Sequence, residues 1–180
     1  MKNKMLGVAA MILGGVLWAA PAVSLERNEV ADRYKWDLST LFGDEAAWVA
    51  AKDSLRQEIP KLASWQGRLG ESPATLLAAM TEWETTYRKL EGVYVFAMAR
   101  SDEDTREARN QQMRQQADQV YSELQTATAY MRPELLAVGK ATIDRFLAEE
   151  PRLAQYRMFL DDILRAAPHT LSPPEEKIVA

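Results

Sequence analysis

From Leu76 to Met131 the apolar residues keep a heptad rhythm through two successive runs, and that rhythm constrains the fold more than any other feature. In the first run Leu76, Met80, Trp83, Tyr87, Leu90, Tyr94 and Ala97 follow steps of 4, 3, 4, 3, 4 and 3. In the second, Met113, Ala117, Val120, Leu124, Ala127 and Met131 follow 4, 3, 4, 3 and 4. Steps averaging about 3.5 residues hold one apolar seam against a partner helix. The polar stretch Arg100-Ser101-Asp102-Glu103-Asp104-Thr105 between the runs is too short to let the helices separate. The expectation is a long antiparallel helical hairpin over about Leu76–Met131. It specifies a helical domain and carries no chemistry.

The flanks extend the same reading. Asp44 is placed to cap a helix in which Trp48, Ala51, Leu55, Ile59 and Leu62 share a face, with a kink expected at Pro60. Ser72-Pro73 announces the first long arm, serine as cap and proline at the first helical position. Pro133 is expected to end the hairpin at Met131-Arg132, because the residue before proline avoids helical geometry. Gly139 then breaks a short turn, Ile143, Phe146 and Leu147 mark a short helix, and Pro151 opens another striped by Leu153, Tyr156, Phe159, Leu160, Ile163 and Leu164. Upstream, the alternating Tyr34, Trp36 and Leu38 suggest an extended lead-in that lays aromatics on the helical body. No strand-period run or Gly-rich phosphate loop appears in the rest of the chain. The fold class is all-α, a helical bundle built on the hairpin.

The first 22 residues read as a targeting segment. Lys2 and Lys4 precede an uncharged run from Met5 to Ala20, and Ala20-Pro21-Ala22 offers the small residues of a cleavage site. The run approaches spanning length, so a retained anchor is the competing reading. Its diluting glycines and alanines and its small-residue exit favour cleavage and an exported, periplasmic or secreted protein without stable membrane association. The domain plan is a signal peptide at 1–22, a lead-in at 23–43, a helical domain at 44–171 and a helix start at 172–180. Ser172-Pro173-Pro174-Glu175 is a capping box followed by only two turns of sequence, which reads as the beginning of a truncated helix.

Composition excludes more chemistry than it suggests. The chain has no cysteine and one histidine, His169, so disulfides, thiolate sites and most metal or nucleophile–base constellations are ruled out. Net charge is −4, and −6 without the first 22 residues, which argues against nucleic acid as a partner. Asp102, Glu103 and Asp104 lack the spacing of a calcium loop and read as a solvated turn. No catalytic or metal-binding residue is identified. His169, Thr170 and Ser172 are the candidate interdomain contacts.

Four stretches, YKWDLSTLFGDEAAW, IPKLASWQGRLGES, LEGVYVFAMARSDEDT and PHTLSPPEEKIVA, occur in order from Tyr34 to Ala180. With them the chain resembles the N-terminal region of the oligoendopeptidase F family of zinc metallopeptidases. The resemblance implies an all-α domain forming part of the wall or lid of a cleft in which short peptides are cut. It also implies that zinc is held by an HExxH helix and a further glutamate of a following catalytic domain. None of those ligands maps onto this sequence, so the chain itself is expected to hold no cofactor and to be inactive alone. Its expected partners are that zinc domain and, through it, short peptides. The alternative is a free-standing helical interaction module derived from such a domain.

Overall fold

In the computed structural model the described residues are Glu26 and 29–166. The targeting segment 1–22 and the helix start at 172–180 lie outside them. Among the described residues there is no strand, and the fold is all-α.

The first helix, α1 (Glu45–Glu58), begins where Asp44 accepts the Ala47 N–H at 2.8 Å, satisfying one of the donors a helix start leaves orphaned. Its inward face buries Trp48 and Leu55. A kinked continuation at Pro60 is not what forms. The α-helix stops at Glu58 and the chain tightens into a 3-10 run, Ile59–Trp65, with Pro60 in its first turn, where a missing N–H costs no bond. After Gly67, whose φ of +82° suits glycine, Ser72 accepts the Thr75 N–H at 3.0 Å and starts α2 (Pro73–Glu103), 31 residues long.

Helix α2 is the spine of the molecule, and it serves two cores. Leu90, Val93, Phe96 and Ala97 are buried with Met113, Ala117, Val120 and Leu124 of α3 (Ala108–Thr128), under Trp48, Leu55, Ile59 and Leu62. Leu76, Leu77, Ala79 and Met80 are buried instead with α4 (Met131–Val138), α5 (Lys140–Glu149) and α6 (Arg157–Arg165). The seam expected to face one partner along its whole length is therefore divided. Length is the reason: the 21 residues of α3 span about 32 Å against about 47 Å for α2, so α3 cannot cover the N-terminal half. Trp83 and Tyr87 stand at the change-over and are only partly buried.

Met131 likewise begins α4 instead of closing the second arm. Pro133 is the third residue of that helix, where its absent donor is one of the orphans anyway, so it does not stop the helix. Gly139, at φ +80°, separates α4 from α5. The helix expected from Pro151 opens as a 3-10 run, Pro151–Tyr156, before α6. The described part of the lead-in includes 3-10 turns at Asp32–Tyr34 and Leu38–Thr40 instead of a continuous extended segment. The Asp37 carboxylate accepts both the N–H and the hydroxyl of Ser39, at 3.1 and 2.5 Å, which bends the chain and ends the alternation. Tyr34 and Trp36 consequently stay 71% and 57% exposed, while Leu38 and Phe42 pack against the body, Phe42 edge-on to Phe96 with ring centroids 5.4 Å apart.

Candidate functional site

An open groove of about 640 Å³ lies against α2. Its floor is the face carrying Ala74, Ala78, Thr81 and Thr85, whose steps of 4, 3 and 4 keep small side chains aligned. The 3-10 run supplies Lys61 and Trp65 to its side, and Glu58 and Arg152 also border it. Its polar edges are mostly committed. Trp65 donates its indole N–H to Glu82 at 2.7 Å, and Lys89 donates to Glu58 at 2.6 Å. That bond from Lys89 is the main reason the Glu58 carboxyl lies below the usual carboxylate range. Arg152 is held by Glu150 at 2.8 Å, and the hydrogen bond draws Glu150 down to about 2. Deeper along α2, the Tyr156 hydroxyl donates to Glu84 at 2.8 Å, and burial is the first cause of its raised pKa. The arrangement offers shape and satisfied polar edges, not a nucleophile set against a base.

The acidic turn is equally committed. Helix α2 runs through Glu103, so Asp102 and Glu103 belong to its last turn and not to an open loop. Asp104 accepts two bonds from the Arg106 guanidinium at 2.9 and 2.7 Å, which hold its carboxyl at about 2. The same guanidinium reaches Glu26 at 3.0 and 2.8 Å. Arg114 lies 3.5 Å from Asp102, and Arg109 pairs with Glu45. Among the described residues no group of three or more histidine, aspartate or glutamate side chains is placed to hold a metal ion, so the donor set of a zinc site is not found there. His169, Thr170 and Ser172 lie outside the described residues.

Sequence reasoning missed the groups that tie the two cores together. Glu134 of α4 accepts the N–H groups of Gly67 and Leu69, both at 2.7 Å, and so clasps the loop before α2. The Tyr130 hydroxyl donates to the Leu62 carbonyl at 2.7 Å, with burial the first cause of a pKa pushed up to about 12. These contacts join residues more than sixty positions apart, and no local pattern announces them.

Comparison with known proteins gives this domain its family. The profile of the family described as Oligopeptidase F matches residues 134–180. Group B oligopeptidase PepB of Streptococcus agalactiae is 33% identical over 159 residues, which is 88% of this chain and 26% of that protein. Oligopeptidase PepF of Bacillus subtilis is 30% identical over 155 residues, 86% of this chain and 23% of its own length. The crystal structure of a putative peptidase from Chlamydophila abortus superposes with a TM-score of 0.74 at 28% identity, over 85% of this chain and 26% of that one. The chain carries the N-terminal domain of an oligoendopeptidase F family protein. A second solved relative, oligoendopeptidase-F from Enterococcus faecium, superposes with a TM-score of 0.66 at 25% identity over 76% of the chain. The oligoendopeptidase F domain described here spans about a quarter of the length of these curated relatives. The profile match takes in α4 from Glu134 onward, α5, α6 and residues 167–180, and so includes His169, Thr170 and Ser172.

Proposed function

We propose that this domain is a wall of the peptide-binding cleft in an exported oligoendopeptidase F-type zinc endopeptidase, and that it contributes no catalytic group. The observation that carries the reading is the pattern of coverage. Similarity extends over more than four fifths of this chain but about a quarter of each oligopeptidase it matches. Charge pairing supports it, because the carboxylates of the acidic turn and of the α2 groove are mostly held by guanidinium, ammonium or indole partners and are poorly placed for acid–base work. Export rests on the character of residues 1–22, and zinc would be held by residues other than those described.

The discriminating experiment is to read the nucleotide sequence downstream of codon 180. An HExxH-encoding region in the same or a shifted frame is the expected result. A stop codon followed by an unrelated gene would overturn the cleft reading in favour of a free-standing interaction module.

A further inference from the structure

A small recess opens where α2 exchanges one core for the other. Trp83 packs against both cores there, with Leu124 on one side and Met131 and Ile163 on the other. The space between them is about 170 Å³, and Tyr87 and Phe159 complete its apolar lining. The Phe159 ring lies 5.0 Å from Trp83 and the Tyr87 ring 5.7 Å, tilted by 30° and 32°. A cavity of roughly 150 Å³ holds one benzene-sized group, so the recess has room for a single ring. Gln125, Thr128 and Arg132 form its polar border. Arg132 is exposed, and among the described residues it makes no hydrogen bond or ion pair. By contrast Arg56, Arg88, Arg106, Arg109 and Arg152 are each held by a carboxylate. Arg132 is also the one charge among the described lining residues. Glu58 and Glu82 border the α2 groove, and Glu103, Asp104 and Glu107 the cleft beside the acidic turn. The recess therefore pairs a ring-sized apolar space with an uncompensated cation, in a chain whose net charge is −4.

We propose that this recess binds the C-terminal residue of a short peptide when that residue is aromatic, with the ring inside and the terminal carboxylate on Arg132. Volume and the aromatic lining select the ring, because a further ring continues the offset contacts that Trp83 already makes. Charge complementarity selects the carboxylate, whose two oxygens match the paired N–H donors of a guanidinium. Gln125 is exposed and has no side-chain hydrogen bond among the described residues, so its amide adds a donor to the same border. That the ligand is a peptide follows from what the border lacks. A free aromatic amino acid carries an ammonium one carbon from its carboxylate, and no described lining residue is a carboxylate that could receive it. In a peptide that nitrogen is a neutral amide, and the rest of the ligand leaves across the exposed border. The origin of such a peptide rests on the cleft reading above; its binding does not.

The test is an NMR titration of the full 180-residue chain without zinc, so that failure here leaves the cleft reading standing. Acetylated glycyl-glycyl-phenylalanine should shift the Trp83 indole and Gln125 side-chain amide signals. The same peptide with an amidated C-terminus should bind about fivefold more weakly, as the loss of an exposed ion pair allows. Arg132→Gln should weaken the acid peptide by the same factor and leave the amidated peptide unchanged. Arg132 is exposed, and circular dichroism checks that the variant remains helical. A peptide ending in alanine should move neither signal, and free phenylalanine should bind about threefold more weakly than the acid tripeptide. Equal affinity for the acid and amide forms, or an acid-peptide affinity untouched by Arg132→Gln, would overturn the proposal. So would shifts that avoid Trp83, or free phenylalanine binding as tightly as the peptide. Trp83 signals that move with protein concentration alone would assign the recess to a second copy and overturn it equally.

Discussion

Trp48 has no solvent exposure and donates its indole N–H to the Val93 carbonyl at 2.8 Å, so one side chain fills the core and pins α1 to α2. Trp48→Ala loses packing and a buried hydrogen bond together, and should cost about 3–5 kcal/mol. Trp36→Ala, at an exposed position of the lead-in, should stay within about 0.5 kcal/mol. Urea melts of the two variants measure the difference, and equal losses would contradict the burial described. At the acidic turn the expectation is one of titration. Arg106 depresses the Asp104 pKa from its ordinary 3.8 to about 2. A depressed carboxylate stabilises the fold above its ordinary pKa, and that contribution fades as pH falls from about 3.8 through about 2. The Arg106 side chain is 57% exposed, although that of Asp104 is only 16%, so solvent screens the pair and the effect belongs to titration more than to stability. An NMR titration should place the Asp104 midpoint near 2, and Arg106→Ala should return it toward 3.8. A midpoint unmoved by that substitution would mean the guanidinium is not the cause.

Among the elements, the loop between the 3-10 run and α2 depends on a carboxylate that arrives from α4. Glu134→Ala removes the acceptor for the Gly67 and Leu69 N–H groups, and should cost about 1–3 kcal/mol. Hydrogen exchange should show those two amides losing protection before α2 does, and unchanged protection there would refute the clasp. Much of this architecture was legible in the sequence because its signals are local. The caps at Asp44 and Ser72, the break at Gly139 and the apolar faces of α1 and α6 all follow from residues within a turn or two of one another. What was not legible depends on relative helix length and distant partners. The heptad steps continue past the point where α2 exchanges α3 for α4, α5 and α6, since the same spacing serves either neighbour. Pro60 and Pro133 were read as interruptions, yet each sits in the first turn of a helical element, where it removes no bond. The α2 groove was missed for a related reason: nothing local to Ala74, Ala78, Thr81 and Thr85 shows that the distant 3-10 run supplies its side.

For the whole molecule, a single 31-residue helix supports two cores, and Trp65 and Trp83 pack against both. That construction gives a stiff wall with a groove along it, while the acidic turn at the far end of α2 is closed by ion pairs. It suits the role proposed for it, a domain that shapes a peptide cleft and contributes no catalytic group. The central claim is that this domain shapes a peptide site without performing the chemistry. Its most direct test is zinc analysis and cleavage of a quenched fluorescent peptide by the purified 180-residue chain. The account predicts no stoichiometric zinc and no cleavage above buffer. One tightly held zinc per chain, with peptide cleavage that disappears in His169→Ala, would contradict it.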